Sequence, residues 1–259
     1  MYASDYAYTR ARFAALAHRG GAAWEPNLGK ENTVHAFAQA IALGYRYLET
    51  DLHATADGRL VCLHDPTLDR VSDATGQVGS LTAADLAGVR IGGEPIAFFD
   101  EVAAMWPAAR FNLDLKSDDA VGPLVRLIES GTLDDRILVS SFSQARLSRF
   151  RTLTRGAVPT GLAPPGIVVT ALVPLVGRIL TSPGVAAQVP VTEPVGPFRL
   201  PVVTRATVAR VHAAGKVVHV WTIDDPAEMN RLIDLGADGI VTDRPDLLKQ
   251  VLIDRDLWE

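Results

Sequence analysis

Short runs of β-branched and aromatic residues alternate along the chain with longer segments whose apolar residues recur at helical spacing. Val34, Phe37 and Ile41, for example, share one helical face. Glycines stand where these helices are expected to end, at Gly44, Gly131, Gly215 and Gly236. The short runs predict nine strands, at Phe13–Ala17, Arg46–Leu52, Leu60–His64, Phe111–Lys116, Ile137–Phe142, Val158–Ala163, Ala186–Val191, Val217–Ile223 and Gly239–Thr242.

Repeated strand–helix units indicate an α/β fold with a parallel sheet, and about eight units in 259 residues predict a (β/α)₈ TIM barrel. Nine strands are one too many for that barrel. The connection from Leu52 to Leu60 is also too short for a parallel crossover. Either this piece is a local hairpin or one of the nine predicted strands is wrong.

Residues from about 66 to 95 lack helical or strand periodicity and are rich in turn-forming residues. We interpret this segment as a small insertion on the rim at the carboxyl ends of the barrel strands. No linker divides the sequence. We therefore expect a single barrel domain over residues 1–259.

The charges exclude a broad basic surface. There are 25 lysines and arginines against 30 aspartates and glutamates, a formal net charge of −5. Such a chain lacks the general positive field that binds nucleic acid or an anionic membrane. Any anion must be held locally, by a metal ion or a few placed cations. We expect a small-molecule substrate and no nucleic-acid partner.

Compartment and membrane insertion can be judged from three features. Cys62 is the single cysteine, so the chain can form neither an internal disulfide nor a paired-cysteine zinc site. The amino-terminal residues lack the pattern of a signal peptide, which predicts a cytoplasmic location. The uncharged stretch between Arg155 and Arg178 is long enough to span a bilayer, but its four prolines would break a spanning helix. We expect no transmembrane segment.

Polar residues recur at the carboxyl ends of the predicted strands, where a barrel keeps its working groups. They are His18 and Arg19, Glu49 and Asp51, His64, Asp114 and Lys116, Trp221, and Asp243. Glu49, Asp51 and Asp114 in one barrel mouth would repel one another unless a cation neutralised them. An all-oxygen ligand set suits Mg²⁺ or Ca²⁺, with Mn²⁺ as a further candidate.

The cations and histidines extend this hypothesis. Arg19 and Lys116 beside a metal ion would form a phosphate-sized positive site. His18 and His64 would supply one neutral and one charged imidazole for general base and general acid catalysis. Together these groups indicate phosphodiester cleavage.

Each residue also has a plainer structural interpretation. A histidine at a strand end is often structural, and Lys116 could simply form a salt bridge with Asp114. Asn32 is a good helix N-cap before Thr33. Cys62 and His219 are expected to fill the barrel, whereas Trp221 could be either core or a pocket wall.

The order and spacing of these residues resemble the glycerophosphodiester phosphodiesterase family. The matching motifs are His18-Arg19-Gly20, Glu31-Asn32-Thr33, Glu49-Thr50-Asp51, His64-Asp65, Leu68-Asp69-Arg70, Leu113-Asp114-Leu115-Lys116, Ser141-Phe142, Val220-Trp221-Thr222 and the run from Gly236 to Pro245. One departure is Asp114, which stands where the family usually has glutamate.

The resemblance implies metal-dependent hydrolysis of glycerophosphodiesters, which are deacylated phospholipids, to glycerol 3-phosphate and an alcohol. It implies His18 and His64 as the acid–base pair, and Glu49, Asp51 and Asp114 as metal ligands. Arg19, Lys116 and Trp221 would contact the substrate, while Glu31 and Asn32 would support the site from behind. The glycerol hydroxyl beside the phosphate would be the nucleophile, through a cyclic intermediate.

Two alternatives stay open. A lysophospholipase D or sphingomyelinase D type of phosphodiesterase resembles the same barrel, and the apolar run Val168–Leu180, which otherwise predicts a barrel helix, could accept an acyl chain. A catalytically silent barrel that only binds glycerophosphodiesters is the second, although a pure binder has no need of both His18 and His64.

Overall fold

The architecture is a closed parallel barrel, seen in a computed structural model that describes residues 1–164, 183–195 and 198–259. Seven parallel strands form its sheet: β1 Ala14–Ala17, β2 Tyr47–Ala54, β6 Arg110–Leu115, β7 Ile137–Ser140, β8 Ala186–Val189, β11 Val217–Val220 and β12 Gly239–Thr242. Their order in the sheet is β7-β6-β2-β1-β12-β11-β8. Two parallel bridges, from Val139 to Thr160 and from Gly161 to Ala186, join β7 to β8. The extended residues Thr160 and Gly161 thus take the eighth strand position of the barrel. The predicted eightfold α/β barrel is confirmed.

Helices pack around this sheet and short strands lie outside it. The described helices are α1 Val34–Ala42, α2 Ala83–Leu86, α3 Phe99–Met105, α4 Val121–Glu129, α5 Gln144–Leu153, α6 Arg205–Ala213, α7 Pro226–Leu235 and α8 Pro245–Asp254. The short strands are β3 Leu60–Cys62, β4 Arg90–Ile91, β5 Glu94–Pro95, β9 Thr192–Val195 and β10 Phe198–Pro201. Helix α7 ends as predicted, at Gly236 with a φ of 94° that suits glycine.

The supernumerary strand is a hairpin. Strand β3 pairs antiparallel with the carboxyl end of β2, with Leu52 opposite Cys62. Its short connection is therefore compatible with the barrel, and of the two explanations for the ninth strand the hairpin is correct. The strand ends at Cys62, so the predicted continuation to His64 is wrong. Cys62 and His219 are buried as expected.

The segment between β3 and α3 builds a small apolar cluster of its own beside the barrel. Leu68, Val78, Leu86 and Ile91 are completely buried there, together with Val61 of β3. The backbone N–H of Ala56, just past β2, donates to the carbonyl of Leu81 and ties the segment to the carboxyl end of that strand. This position agrees with the predicted rim insertion. The assignment of the whole chain to a single domain stays a prediction.

Two features bear on the membrane question. Over the described ranges, no helix has the length and apolar character needed to cross a bilayer. The predicted helix at Val168–Leu180 lies outside the described residues.

Candidate active site

A cavity of about 220 Å³ opens at the carboxyl ends of the barrel strands. The strand ends bring together every group predicted to bind or react with substrate or metal: His18, Arg19, Glu49, Asp51, His64, Asp114, Lys116 and Trp221 all line it. Further lining comes from Asn112, Ser140, Ser141, Phe142, Leu162, Pro164, Gln188, Thr222 and Val241. Glu31 and Asn32 lie behind the cavity wall, where they contact Arg19 and Asp51.

His18 is held by a carboxylate that sequence reasoning left without a role. Its Nδ1 lies 2.8 Å from Oδ1 of Asp243, and its Nε2 lies 3.8 Å from Oε2 of Glu49. Burial alone would lower the pKa of His18, but the carboxylates of Glu49 and Asp243 outweigh burial and raise it. Asp243 directly follows β12, the strand beside β1, and that adjacency was the signal for the pair.

His64 is oriented in the same way. Its Nδ1 lies 2.6 Å from Oδ1 of Asp65, and 37% of its side chain is exposed. In both histidines a carboxylate occupies the Nδ1 side, which leaves Nε2 for other partners. The cavity is thus lined by two imidazoles with fixed orientation, as a general acid–base pair requires.

Strand register explains why the three acidic residues meet. Asp51 on β2 lies directly opposite Asp114 on the neighbouring β6. Glu49 is two residues before Asp51, so its side chain points to the same face. All three are buried, with exposed fractions of 5% for Glu49, 1% for Asp51 and 8% for Asp114.

Burial and neighbouring charges shift the pKa values of these three acids in different directions. Burial and the nearby Asp51 carboxylate raise the pKa of Glu49 to about 7. Burial also raises the pKa of Asp114, in spite of Lys116. Burial would act in the same direction on Asp51, but Lys116 and Arg19 hold the pKa of Asp51 below its ordinary value.

Lys116 bridges two of the acids. Its Nζ lies 2.9 Å from Oδ1 of Asp51 and 2.6 Å from Oδ2 of Asp114. The salt bridge that we considered as the plainer interpretation is therefore present. Because Lys116 also lines the cavity, its side chain contacts the acids at the edge of the space where a substrate anion would bind.

Arg19 is fixed by a left-handed turn directly after β1. Its φ is 50°, a conformation that side-chain-bearing residues seldom adopt. Its backbone N–H donates to Oε2 of Glu49, and its Nη1 donates to Oε1 of Glu31. Its Nε lies 3.1 Å from Oδ2 of Asp51, an ion pair that makes no hydrogen bond. The guanidinium group is thereby oriented between two carboxylates.

The predicted N-cap at Asn32 is wrong. Thr33 caps α1, with Oγ1 accepting from the backbone N–H of Ala36. Asn32 is fully buried with a φ of 59°, and its Nδ2 donates to Oδ2 of Asp51 while its Oδ1 accepts from Thr50. Asn32 therefore orients a predicted metal ligand rather than a helix.

The three carboxylates are chemically suitable ligands for a divalent cation, but their present arrangement is not that of a metal site. They offer only oxygen donors, and Oδ1 of Asp114 is buried without a hydrogen-bond partner among the described residues. Lys116, however, holds Asp51 and Asp114, and in the described ranges no three acidic, histidine or cysteine side chains surround a common point. The donor set fits the ion, and the Lys116 ammonium competes for two of the donors.

Aromatic side chains form one wall of the cavity. Trp221, directly after β11, packs edge-to-face on Phe142 with ring centroids 5.9 Å apart. Phe142 is 67% exposed, which is unusual for a large apolar side chain. Trp221 is thus a pocket wall that also packs against the buried core of the barrel.

Known proteins are similar to this chain in sequence and in fold. The sequence model of the Glycerophosphoryl diester phosphodiesterase family matches residues 18–126 and 108–247. The Mycobacterium tuberculosis protein named "Probable glycerophosphodiester phosphodiesterase 2" is 37% identical over 251 residues, which are 95% of this chain and 92% of that protein. "Lysophospholipase D GDPD1" of Homo sapiens is 26% identical over 92% of this chain and 85% of its own length.

A solved structure agrees in fold. The Oleispira antarctica phosphodiesterase OLEI02445, determined in complex with the product sn-glycerol-3-phosphate, matches with a TM-score of 0.76 at 22% identity. The match covers 92% of this chain and 96% of that one. The family match over most of the chain and the close sequence relative together show that this chain belongs to the glycerophosphoryl diester phosphodiesterase family and is a phosphoric diester hydrolase.

Proposed function

We propose that this phosphoric diester hydrolase cleaves glycerophosphodiesters to glycerol 3-phosphate and an alcohol, with His18 and His64 as the acid–base pair. One observation carries the proposal: two imidazoles, each held at Nδ1 by a carboxylate, line the same cavity as Arg19 and Lys116. The relative named as a glycerophosphodiester phosphodiesterase and the relative solved with sn-glycerol-3-phosphate support the substrate class.

The reaction needs two proton transfers on opposite sides of the phosphorus. One imidazole, in its neutral form, takes the proton from the glycerol hydroxyl that attacks the phosphorus. The other, in its charged form, gives a proton to the departing alcohol oxygen, which leaves a cyclic glycerol phosphate. Water would then attack the phosphorus of this intermediate: the second imidazole, now neutral, would take the proton of the water, and the first, now charged, would return its proton to the glycerol oxygen as the ring P–O bond breaks. Glycerol 3-phosphate results, and both imidazoles regain their starting protonation states. Asp243 and Asp65 would keep Nε2 of His18 and His64 directed at those oxygens.

The phosphate would be held by the cations of the cavity. Arg19 is already oriented by Glu31 and Asp51, so its guanidinium group would bind the anion with little loss of side-chain freedom. Lys116 would add a second positive charge. Trp221 would pack against the glycerol or alcohol portion of the substrate.

We further propose that Glu49, Asp51 and Asp114 hold a divalent cation, Mg²⁺, Ca²⁺ or Mn²⁺. When bound, the ion would polarise a phosphoryl oxygen and offset the repulsion among the three acids. Support comes from the unpartnered Oδ1 of Asp114 and from the raised pKa of Glu49, which mark acids without full compensation. Asn32 would fix Asp51 in this role.

A product assay tests both parts. The purified chain is offered glycerophosphocholine and glycerophosphoethanolamine, with and without a chelator, and glycerol 3-phosphate is measured. We expect release that the chelator abolishes and added Mg²⁺, Ca²⁺ or Mn²⁺ restores. His18→Ala and His64→Ala should each lower kcat by about 100-fold or more, whereas His212→Ala, a half-exposed partner of Asp238 outside the cavity, should not. Near-normal rates in either cavity variant would overturn the acid–base assignment.

A lysophospholipid substrate is the second candidate. The exposed Phe142 ring beside Trp221, together with Leu162 and Pro164, gives the cavity an apolar side that could contact an acyl chain. Lysophosphatidylcholine in the same assay distinguishes the two, because lysophosphatidate is then the phosphorylated product. A cytoplasmic location stays a prediction from the amino-terminal residues.

A further inference from the structure

An unbroken series of contacts runs from one imidazole of the cavity to its phosphate-binding arginine. Nδ1 of His64 lies 2.6 Å from Oδ1 of Asp65, and Oδ2 of Asp65 accepts from Nε of Arg70 at 2.5 Å. Nη1 and Nη2 of Arg70 donate to the two oxygens of Glu31, at 3.0 and 2.8 Å. Oε1 of Glu31 also accepts from Nη1 of Arg19. Arg70 is the central link of this series.

The rim insertion supplies Arg70 and fixes its backbone. Leu68, two residues earlier, is completely buried in the apolar cluster of the insertion. The backbone N–H of Leu68 donates to the carbonyl of Gly76, and the backbone N–H of Ser72 donates to the carbonyl of Leu68. The side chain of Arg70 leaves this anchored turn with 46% of its surface exposed. Its position is therefore set by packing in the insertion.

We infer that Arg70 is a positioning residue that fixes His64 and Arg19 relative to each other. Its planar guanidinium group can hold two carboxylates at once in fixed directions, which a lysine ammonium cannot do. Asp65 uses one oxygen on Arg70 and the other on His64, whereas Glu31 uses both oxygens on Arg70 and shares Oε1 with Arg19. The inference rests on the proposed roles of His64 and Arg19.

Removal of Arg70 would take one partner from each carboxylate and leave Asp65 with His64 and Glu31 with Arg19. In the described part of the chain, His64 would then be the one remaining hydrogen-bond partner of Asp65. The half-exposed His64 ring would therefore be held less firmly. Arg19 would lose less, because the backbone of its turn and the nearby Asp51 still hold it. The main defect is therefore expected in kcat, with a smaller one in KM.

Arg59 provides a matched control. It too pairs with two carboxylates, those of Asp100 and Glu101, and lies over the ring of Phe98. It is 34% exposed and does not line the cavity. Its replacement removes the same kind of surface ion pairs without touching His64 or Arg19.

The test is steady-state kinetics on glycerophosphocholine with Arg70→Ala, Arg70→Lys and Arg59→Ala. We expect Arg70→Ala to lower kcat by about 10- to 100-fold and to raise KM by a smaller factor. Arg70→Lys should restore little, and Arg59→Ala should behave as the unmodified chain. Guanidinium chloride at millimolar concentration, against sodium chloride of equal ionic strength, should partly rescue Arg70→Ala, because the vacated space opens to solvent.

A double-variant comparison separates positioning from general stability. Asp65→Asn should lower kcat in the unmodified chain, and adding Arg70→Ala should lower it little further, since both changes break one series of contacts. Additive losses, or full activity of Arg70→Ala, would overturn the inference. If His64→Ala were active, the proposed function itself would be wrong, whatever Arg70→Ala shows.

Discussion

The carboxylate of Asp243 lies 2.8 Å from Nδ1 of His18, although 225 residues separate them in sequence. Their strands, β12 and β1, are neighbours in the closed sheet, with Thr242 opposite Ala17. The pair fixes which imidazole nitrogen faces the cavity and adds negative charge beside it. It repeats at His18 the arrangement that Asp65 makes at His64.

Asp243→Asn should therefore impair turnover. The amide keeps the size of the side chain but loses the charge that orients and supports the imidazole. We expect kcat to fall by about 10- to 100-fold, with a circular dichroism spectrum like that of the unmodified chain. Asp256→Asn, at an exposed carboxylate beside Arg12, is the control and should keep full activity. An equally active Asp243→Asn would mean that Asp243 plays no part in orienting His18.

Asn32 and Thr33 should differ sharply in their effect on stability. Asn32→Ala removes two buried hydrogen bonds and places alanine at a φ of 59°, so we expect the free energy of unfolding to fall by about 2–4 kcal/mol. Thr33→Ala removes a helix cap worth about 1 kcal/mol. Urea unfolding measures both. Equal losses would indicate that the contacts of Asn32 with Asp51 and Thr50 contribute little.

Asp114→Asn should weaken cation binding. The amide keeps one oxygen but removes a negative charge from the proposed ligand set, which a hard dication needs. Isothermal titration with Mg²⁺ or Ca²⁺ reads binding directly, without substrate. Asp118→Asn, at an exposed carboxylate paired with Arg146, should leave the affinity unchanged. Identical affinities for the two variants would exclude Asp114 as a ligand.

Stability should fall with acid because of His219. Burial lowers the pKa of His219 to about 4, whereas an unfolded histidine titrates near 6.5. Between these values the unfolded chain binds more protons, so stability is lost as the pH falls. We expect His219 to account for a loss of about 2 kcal/mol between pH 7 and pH 5. Urea unfolding of His219→Gln should show a correspondingly shallower pH dependence, and an unchanged slope would assign the effect elsewhere.

Local pattern was enough to predict the barrel and the groups at its mouth. Strand periodicity located β2 and β6, and parallel pairing then placed Asp51 and Asp114 side by side. The length of the connection after Leu52 marked β3 as irregular. These features depend on spacing within one or two elements, which a sequence displays directly.

Contacts between elements that are distant in sequence could not be predicted from local pattern. Asn32 and Thr33 are both good capping residues, and only the contact of Asn32 with Asp51 decides which of them caps α1. The partner of His18 depends on closure of the sheet, and the link from Arg70 to Glu31 depends on how the insertion docks. None of these leaves a periodic trace in the chain.

The double salt bridge of Lys116 bears on how the proposed metal site would be loaded. Its ammonium group already balances Asp51 and Asp114, so the charges of these two buried acids are compensated by the chain itself, without any proposed dication. Loading would then be an exchange in which the dication takes over two carboxylates and releases the lysine. Because Lys116 also lines the cavity, the released ammonium group would be available to pair with a phosphate there, so the proposed ion and the proposed anion would bind in favour of each other.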